Sequence, residues 1–276
     1  MEKTTIDSIT LYLAHTAELS ITWIGRMELI SQLEAAWLVL DPADLPLNPR
    51  LIGKPGVGKT SLAYAAGKRR GRGVYIFQAT SDTRPEDLLI TPVIGDHGKI
   101  QYMASPLVTA MVKGGVLILD EGNRMSEKSW ASLAPLLDGR RYVESITAGI
   151  KIEAHPDFRI VTTMNEDAST FELPEYIHSR LQPQIFLDFP EPEEELQILK
   201  QSLPFANDDL FEYIVSFLRV AHEKNMPYTV RDGLNIARYA LKLMRNTPED
   251  VRFPIQNYVA QALIMILGND AISNLK

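Results

Sequence analysis

The chain has 276 residues, of which 45% are hydrophobic and 23% are charged, and its formal net charge is −7. This length suits one large domain, or a large domain followed by a small one. The acidic balance argues against a general attraction to nucleic acid, and the absence of cysteine excludes disulfides, thiolate metal sites and thiol nucleophiles. No apolar run reaches the roughly 20 residues that span a bilayer, and the N-terminal segment does not predict a signal peptide.

Two helices are predicted ahead of the first chemical motif. The first covers residues 6–19, on an irregular apolar face, and a turn at residues 21–26 leads to the second. The second helix carries apolar residues at steps of three and four, namely Met27, Ile30, Leu33, Ala36 and Trp37. This spacing is the period of an amphipathic helix, which Asp41-Pro42 then ends.

The segment from Gly53 to Thr60 reads Gly-Lys-Pro-Gly-Val-Gly-Lys-Thr, the pattern of a phosphate-binding loop. A short apolar stretch precedes it and a helix-like run follows, which is the context that such a loop requires. Its glycines let backbone N–H groups turn towards phosphate oxygens, and the helix N-terminus adds a positive dipole end. Lys59 would reach the outer phosphates and Thr60 would bind Mg2+. The predicted nucleotide contacts are Gly53, Pro55, Gly56, Val57, Gly58, Lys59, Thr60 and Ser61.

Further apolar runs predict the other strands of a sheet. These runs are residues 73–79, 116–119, 158–164 and 184–189. Continuous apolar runs separated by helical segments are typical of parallel strands that are covered on both faces, so an α/β fold is expected. Ligands of such sheets bind at the carboxyl ends of the strands. The phosphate loop, Asp120, Glu121 and Asn165 are all expected at such ends.

Asp120 and Glu121 directly follow the run at residues 116–119. A carboxylate at a strand tip can hold the Mg2+ that bridges nucleotide phosphates, and the adjacent one can orient and deprotonate the attacking water. Many strands end in a solvated acid, so this assignment depends on the phosphate loop upstream. Asn165 ends the next run, where its amide would lie near the γ-phosphate or the water, although asparagine is also a common turn residue.

Two arginines later in the chain are candidates for contacts to the nucleotide. Arg180 lies just before the last predicted strand, and a guanidinium at the γ-phosphate neutralises developing charge. A surface ion pair is its alternative role. Arg231 begins a helix further on and could reach back to the nucleotide, although a charged residue in a first helical turn is also ordinary.

The composition changes after Pro190-Glu191-Pro192, where strand-like runs give way to helical patterns. These patterns cover residues 193–199, 210–222, 229–245 and 255–267. We therefore predict a core domain at residues 1–190 and an all-helical domain at residues 191–276.

The order of these motifs resembles that of the AAA+ ATPases, and within them the MoxR branch with its McrB-like and dynein-related relatives. The loop from Gly53 to Thr60 looks like Walker A, and the segment from Val116 to Glu121 looks like Walker B. The continuation Gly122-Asn123-Arg124-Met125 is similar to the Asp-Glu-Ile-Asn-Arg continuation of the family, with glycine in place of the bulky residue. The resemblance covers nearly the whole chain and implies an αβα sandwich followed by a small helical lid.

Further residues match this resemblance one by one. Asn165 matches sensor 1, and Arg180, in Ser-Arg-Leu, matches the arginine finger. Arg231 matches the sensor 2 arginine of the lid, although Thr-Val precedes it where Ser-Pro is common. Ile24 and Gly25 lie in the segment that touches adenine in the family.

Two expected hairpins also favour this branch. One, at about residues 88–105, resembles the insertion in helix 2 and has its turn at Gly95-Asp96-His97-Gly98. The other, at about residues 140–154, resembles the hairpin before sensor 1 and turns at Thr147-Ala148-Gly149.

The resemblance implies ATP and Mg2+ as cofactors, with Thr60 and Asp120 holding the metal. Because nucleotide use points to the cytoplasm, we expect a cytoplasmic protein. Glu121 would activate water, Asn165 would position it, and Lys59 would bind phosphates. Arg180 would act on the nucleotide of a neighbouring subunit in a homo-oligomeric ring, expected to be a hexamer, with Arg124 as a second candidate. The work would be to remodel a separate client protein, and a von Willebrand A-domain chain is an expected partner, without direct contact to nucleic acid or membrane.

Three alternatives remain open. A McrB-like motor subunit of a restriction complex would prefer GTP. A non-hydrolytic, nucleotide-gated scaffold would have no need of Glu121 or Arg180. A metal-binding role would depend on histidines that are scattered and form no ligand-like pair, namely His15, His97, His155, His178 and His222.

Overall fold

The computed structural model describes residues 2–20, 22–95, 98–166, 172–269 and 271. The chain divides into two compact units. The first comprises Met1–Gly53 and Gly58–Leu187, and the second comprises Asp188–Lys276 together with Lys54–Val57. The domains predicted at residues 1–190 and 191–276 stay predictions. None of the described helices is both long and apolar enough to cross a membrane.

The strands of the described residues are β1 (Lys3–Ile6), β2 (Ile9–Tyr12), β3 (Arg50–Gly53), β4 (Val74–Gln78), β5 (Ile90–Ile94), β6 (Ile100–Ala104), β7 (Val116–Asp120), β8 (Tyr142–Ser145), β9 (Ile150–Glu153), β10 (Arg159–Asn165) and β11 (Gln184–Phe186). The helices are α1 (Met27–Ala36), α2 (Lys59–Arg69), α3 (Pro85–Leu88), α4 (Pro106–Lys113), α5 (Glu127–Leu133), α6 (Glu175–His178), α7 (Pro192–Ser202), α8 (Asp208–Glu223), α9 (Val230–Asn246) and α10 (Ile255–Leu267).

A five-stranded sheet in the order β11-β3-β10-β7-β4 forms the centre of the first unit. All four neighbouring pairs are parallel, which confirms the fold class predicted from the apolar runs. Every residue of β10 is buried, as expected of a central strand that is covered on both faces. The register pairs Asn165 with Gly53, and Gln78 with Asp120. The strand ends that carry the predicted site therefore meet at one edge of the sheet.

The helix predicted at residues 6–19 is wrong, because the chain there forms an antiparallel hairpin. Strands β1 and β2 pair Ile6 with Ile9, which leaves a two-residue loop at Asp7-Ser8. Both loop residues have positive φ, 45° and 70°, as a tight hairpin turn of the primed type requires. Ile9, Leu11 and Leu13 point inward at every second position, which is the period of a strand. The helix prediction overlooked this alternation.

This N-terminal hairpin extends a second sheet, with strand order β1-β2-β6-β5. Strands β5 and β6 are antiparallel and occupy the segment predicted as the first hairpin; Asp96 and His97 of its expected turn lie outside the described residues. Strand β2 pairs with β6 in parallel. Strands β8 and β9 form an antiparallel pair in the segment predicted as the second hairpin.

Helices α7 to α10 belong to the second unit, and the patterns at residues 193–199, 210–222, 229–245 and 255–267 predicted all four of them. The apolar faces of these helices share one core, whose buried members include Leu210, Phe211, Ile214, Ile236 and Ala262. The N-terminus of α9 is fixed by Thr229, whose backbone N–H donates to Asp232 Oδ2 over 2.8 Å. Such a cap satisfies donors that the first helical turn would otherwise leave unpaired.

A buried acid lies within this helical unit. Glu195 of α7 is 1% exposed, and neither of its carboxylate oxygens has a hydrogen-bond partner among the described residues. Its Oε1 lies 3.8 Å from Nδ1 of His222. Burial, with a smaller contribution from Glu191, raises the pKa of Glu195 to about 7, and burial lowers the pKa of His222. The folded protein therefore favours a neutral carboxyl group at this position.

We expect Glu195→Gln to stabilise the protein at alkaline pH. The pKa of Glu195 is about 7 in the folded protein, against an ordinary value of 4.5. The contribution of this group to the free energy of unfolding is therefore complete below pH 4.5, and it is lost as the pH rises through 7. The glutamine variant does not ionise, so the free energy of unfolding should exceed that of the wild type by about 3 kcal/mol at pH 8 and match it near pH 4. Urea unfolding at both pH values measures this, with exposed Glu193→Gln as the control. An equal difference at both pH values would contradict it.

Candidate active site

The phosphate loop joins β3 to α2, and two glycines set its backbone. Gly56 and Gly58 have φ values of 84° and 100°, in the left-handed region that is costly for residues with a side chain. Gly58 is also the residue before the first turn of α2, so backbone N–H groups of that turn point back towards the loop. The loop and the helix N-terminus together suit an anion such as phosphate.

Lys59 begins α2 and is buried, with 6% of the residue exposed. Its ammonium donates a hydrogen bond to the backbone oxygen of Gly53 over 2.8 Å. This bond runs from the start of the helix to the first residue of the loop. The charge therefore lies at the phosphate loop, where the contact predicted for Lys59 requires it.

Asp120, at the end of β7, accepts hydrogen bonds from two hydroxyl groups. Thr60 Oγ1 donates to Asp120 Oδ1 over 2.7 Å, and Thr163 Oγ1 donates to the same oxygen over 2.6 Å. A carboxylate and a hydroxyl at this distance form the kind of all-oxygen set that suits Mg2+, so the residues fit the metal predicted here. Thr163 was not among the predicted site residues; its signal is a polar side chain in an apolar strand, two residues before Asn165.

Glu121 has a strained backbone and a carboxylate that is held from two sides. Its φ and ψ are 55° and 40°, a left-handed conformation that costs a non-glycine residue and is common at functional sites. The backbone N–H donates to Thr163 Oγ1 over 2.9 Å. Asn165 Nδ2 donates to Oε1 over 2.9 Å, and Arg124 Nε lies 2.6 Å from Oε2. The side chains predicted as base and sensor are thus in direct contact.

Arg124 therefore contacts the acid of its own protomer. The sequence left Arg124 and Arg180 as two candidates for a contact across a subunit interface. Because Arg124 forms an ion pair with Glu121 in the same chain, a contact to a neighbour would require that pair to open. Arg180 is also paired within its own chain, with Asp138, so the choice between the two arginines stays a prediction.

Asn123 fixes the backbone of Asn165. Its Nδ2 donates to Asn165 O over 2.8 Å, and its Oδ1 accepts from Asn165 N over 3.3 Å. The amide side chain thus replaces a neighbouring strand at the end of β10. Because both ends of the Asn123 amide are used, the Asn165 side chain is held in line with Glu121.

Gly122 is explained by its neighbours. A β-carbon at this position would lie 2.5 Å from Thr162 Cγ2 and 3.2 Å from the ring of Trp130. Trp130 of α5 is 1% exposed. The indole thus takes the space that a bulky residue after the two acids would need, and Thr162 lies closer still, so a glycine fits this position.

Arg180 makes its contacts away from these groups. Its Nη1 donates to the backbone oxygen of Tyr176, and its Nη2 lies 3.4 Å from Asp138 Oδ2. Asp138 is also held by Arg140 over 2.9 Å, and hydrogen bonds from Arg140 lower the pKa of Asp138 to about 2. The described contacts of Arg180 do not include Glu121, Asp120 or Lys59.

The segment predicted to touch adenine includes a tryptophan that the sequence did not single out. Gly25 has a φ of 150°, and a β-carbon there would lie 2.7 Å from the ring of Trp23. The same ring lies 3.4 Å from the β-carbon position of Gly58. The segment from Trp23 to Gly25, including Ile24, therefore lies beside the last glycine of the phosphate loop. The Trp23 Nε1 is buried and has no hydrogen-bond partner among the described residues.

Arg231 lies in the first turn of α9, in the second unit. Arg231 is exposed, and its guanidinium takes part in none of the hydrogen bonds or ion pairs of the described residues. Its predicted contact with the nucleotide stays a prediction.

The parallel sheet, the phosphate loop and the adjoining acids are features of the AAA+ P-loop fold. Residues 50–181 match the family model for the AAA domain of the dynein-related subfamily. The chain has the AAA+ P-loop fold and shares it with the RuvB Holliday junction branch migration motor of Thermotoga maritima. That match has a TM-score of 0.57 and 18% identity, and it covers 88% of this chain and 70% of the motor.

Two curated relatives match part of the chain in sequence. The mouse von Willebrand factor A domain-containing protein 8 is 28% identical over 215 residues, which are 70% of this chain but only 11% of that protein. An uncharacterized protein of Staphylococcus aureus strain bovine RF122 is 26% identical over 179 residues, covering 63% of this chain and 68% of that protein.

Proposed function

We propose that this chain is an ATP-hydrolysing AAA+ ring subunit of MoxR type that remodels or activates a partner protein. One observation carries the proposal: Thr60, Asp120, Thr163, Glu121 and Asn165 are joined by direct hydrogen bonds. A phosphate loop alone would serve a binding scaffold. A carboxylate with a fixed amide beside it supplies what hydrolysis needs in addition, a base and a group that orients water.

The loop and its surroundings would bind the nucleotide. Lys59 and the backbone N–H groups from Gly53 to Ser61, other than that of Pro55, would hold the phosphates, while Ile24 and Gly25 would contact the base. Thr60 and Asp120 would hold Mg2+, which neutralises phosphate charge when it is bound.

Glu121 would orient the attacking water and accept its proton. The Asn165 amide donates a hydrogen bond to one carboxylate oxygen of Glu121 over 2.9 Å. The group that would position the water is thus fixed beside the group that would accept its proton. Arg124 holds the other oxygen. An oxygen that is paired with Arg124 is not free to contact the attacking water, so we expect the Arg124 pair to loosen during turnover.

Arg180 would complete the site of a neighbouring subunit. Its contacts in its own chain lie apart from Glu121 and Lys59, which is consistent with a role in trans. A heterologous interface of this kind closes into a ring, and we propose a hexamer. Arg231 would respond to the nucleotide from the helical lid, and loss of the γ-phosphate would shift the lid and the two hairpins.

The partner we propose is a separate client, reached directly or through a von Willebrand A-domain chain. The mouse relative is named for such a domain, and the aligned segment is 11% of its length. A segment similar to this chain and a von Willebrand A domain thus belong to one polypeptide in that relative, which supports their pairing here as separate chains.

Phosphate release from ATP and from GTP, each with Mg2+ or with EDTA, tests this function. We expect hydrolysis of ATP that requires Mg2+ and is faster than hydrolysis of GTP. A clear preference for GTP would favour the McrB-like alternative. Binding without phosphate release, with or without client, would favour the non-hydrolytic scaffold and contradict the proposal.

A further inference from the structure

The side chains that hold the Arg180 segment come from the chain that leads into the phosphate loop. Asn48 and Arg50 lie shortly before Gly53 in the sequence. Both are buried, with 8% and 2% of the residue exposed. Buried polar side chains need partners within the protein, and both of these find them around Arg180.

Asn48 holds the backbone of the arginine itself. Its Nδ2 donates to Arg180 O over 3.2 Å and to Leu137 O over 2.9 Å. Leu137 is the neighbour of Asp138, whose carboxylate contacts the Arg180 guanidinium. One amide group thus joins the arginine to the turn that receives its side chain.

Arg50 holds the short helix α6, which ends at His178. The Arg50 Nη2 lies 2.8 Å from Nε2 and 3.4 Å from Nδ1 of the His178 ring. The Arg50 Nε has no hydrogen-bond partner among the described residues, so the imidazole is an important neighbour of this buried cation. The backbone N–H of Arg50 also donates to Pro183 O over 3.0 Å, so β3 is attached on both sides of Arg180.

We propose that Asn48, Arg50 and His178 are positioning residues for Arg180. They attach the arginine to β3, the strand that ends in the phosphate loop of the same protomer. The arginine offered to a neighbouring subunit is therefore held by the element that carries the protomer's own nucleotide site. This inference rests on the proposed trans role of Arg180.

The physical reason is that a catalytic guanidinium must be placed within a fraction of an ångström. A displacement of about 1 Å at a reacting group can lower a rate by about a hundredfold. Arg180 lies on a short segment with few residues of regular structure around it. Its position consequently depends on side-chain bonds from neighbouring elements.

Mixed rings test the inference with a placement control. One subunit, the donor, carries Lys59→Ala and supplies an intact Arg180; the other, the acceptor, carries Arg180→Ala and supplies an intact site. Adding His178→Ala to the donor should lower the kcat of the mixture about tenfold to a hundredfold with little change in KM for ATP. The same change in the acceptor should have little effect, because its arginine is already absent.

The conservative variant sharpens the result. His178→Gln in the donor should restore most of the activity, because its amide oxygen can accept from Arg50. If donor subunits with His178→Ala do not fold, Asn48→Ser takes its place, because it removes the hydrogen bonds to Leu137 O and Arg180 O. This change should likewise lower activity in the donor and have little effect in the acceptor.

Equal losses from both placements, or no loss from either, would overturn the positioning role. An inactive reference mixture of Lys59→Ala and Arg180→Ala subunits has a different meaning. It would refute the trans action of Arg180, and the inference would fall with it. The two failures are therefore distinguishable in one experiment.

Discussion

Glu121→Gln should retain nucleotide binding and lose turnover by about 10² to 10⁴-fold, the usual contribution of a general base. The glutamine has nearly the same shape, and its amide oxygen can still accept from Asn165, which bonds Oε1 over 2.9 Å in the wild type. It cannot take a proton from water. The loss should therefore appear in kcat for phosphate release, with the Kd for an ATP analogue little changed.

The matched control for this variant is Glu144→Gln. Glu144 is an exposed acid on β8, so the same chemical change there should leave turnover at the level of the wild type. Normal turnover in the Glu121 variant would remove this carboxylate as the base. Loss of binding together with turnover would show a structural role instead, since Glu121 has a strained backbone and several partners.

Arg180→Ala should lower turnover by about 10³-fold or more, as removal of an arginine finger does. Binding of nucleotide should remain, because the described side-chain contacts of Arg180 in its own chain go to Tyr176 and Asp138. Mixing this variant with Lys59→Ala subunits should restore part of the activity. Restoration arises only at interfaces where an intact arginine meets an intact site.

Arg140→Ala is the control for an indirect effect through Asp138. Hydrogen bonds from Arg140 are the main cause of the low pKa of Asp138, ahead of the smaller contribution of Arg180. If the Arg180 variant acted by disturbing Asp138, the Arg140 variant should lose at least as much turnover. We expect it to stay near the wild type. Failure of the mixed subunits to recover at any ratio would argue against trans action.

The fold and the centre of the site could be predicted because their signals are local. Each strand of the parallel sheet contains adjacent apolar residues, and the loop from Gly53 to Thr60 has its strand and helix beside it in sequence. Asp120 and Asn165 end such runs, and the register of parallel strands brings their ends together. The contacts of Asp120 and Asn165 therefore follow from topology.

What could not be predicted depends on contacts between distant parts of the chain. Thr163 joins Asp120 to Glu121, yet its hydroxyl is one polar group in a strand. Arg50 meets His178 across 128 positions, and a single sequence has no local pattern for such a pair. The N-terminal hairpin was missed for another reason, since its strands are short and its turn, Asp7-Ser8, lacks the glycine that usually marks one.

Calorimetric titration with a non-hydrolysable ATP analogue and Mg2+ tests the central claim most directly. The account predicts saturable binding to the wild type and affinity at least about tenfold weaker for Lys59→Ala, because the buried ammonium at the phosphate loop contributes a charge-assisted contact. Equal affinity in the two proteins, or no binding to the wild type at millimolar analogue, would contradict it.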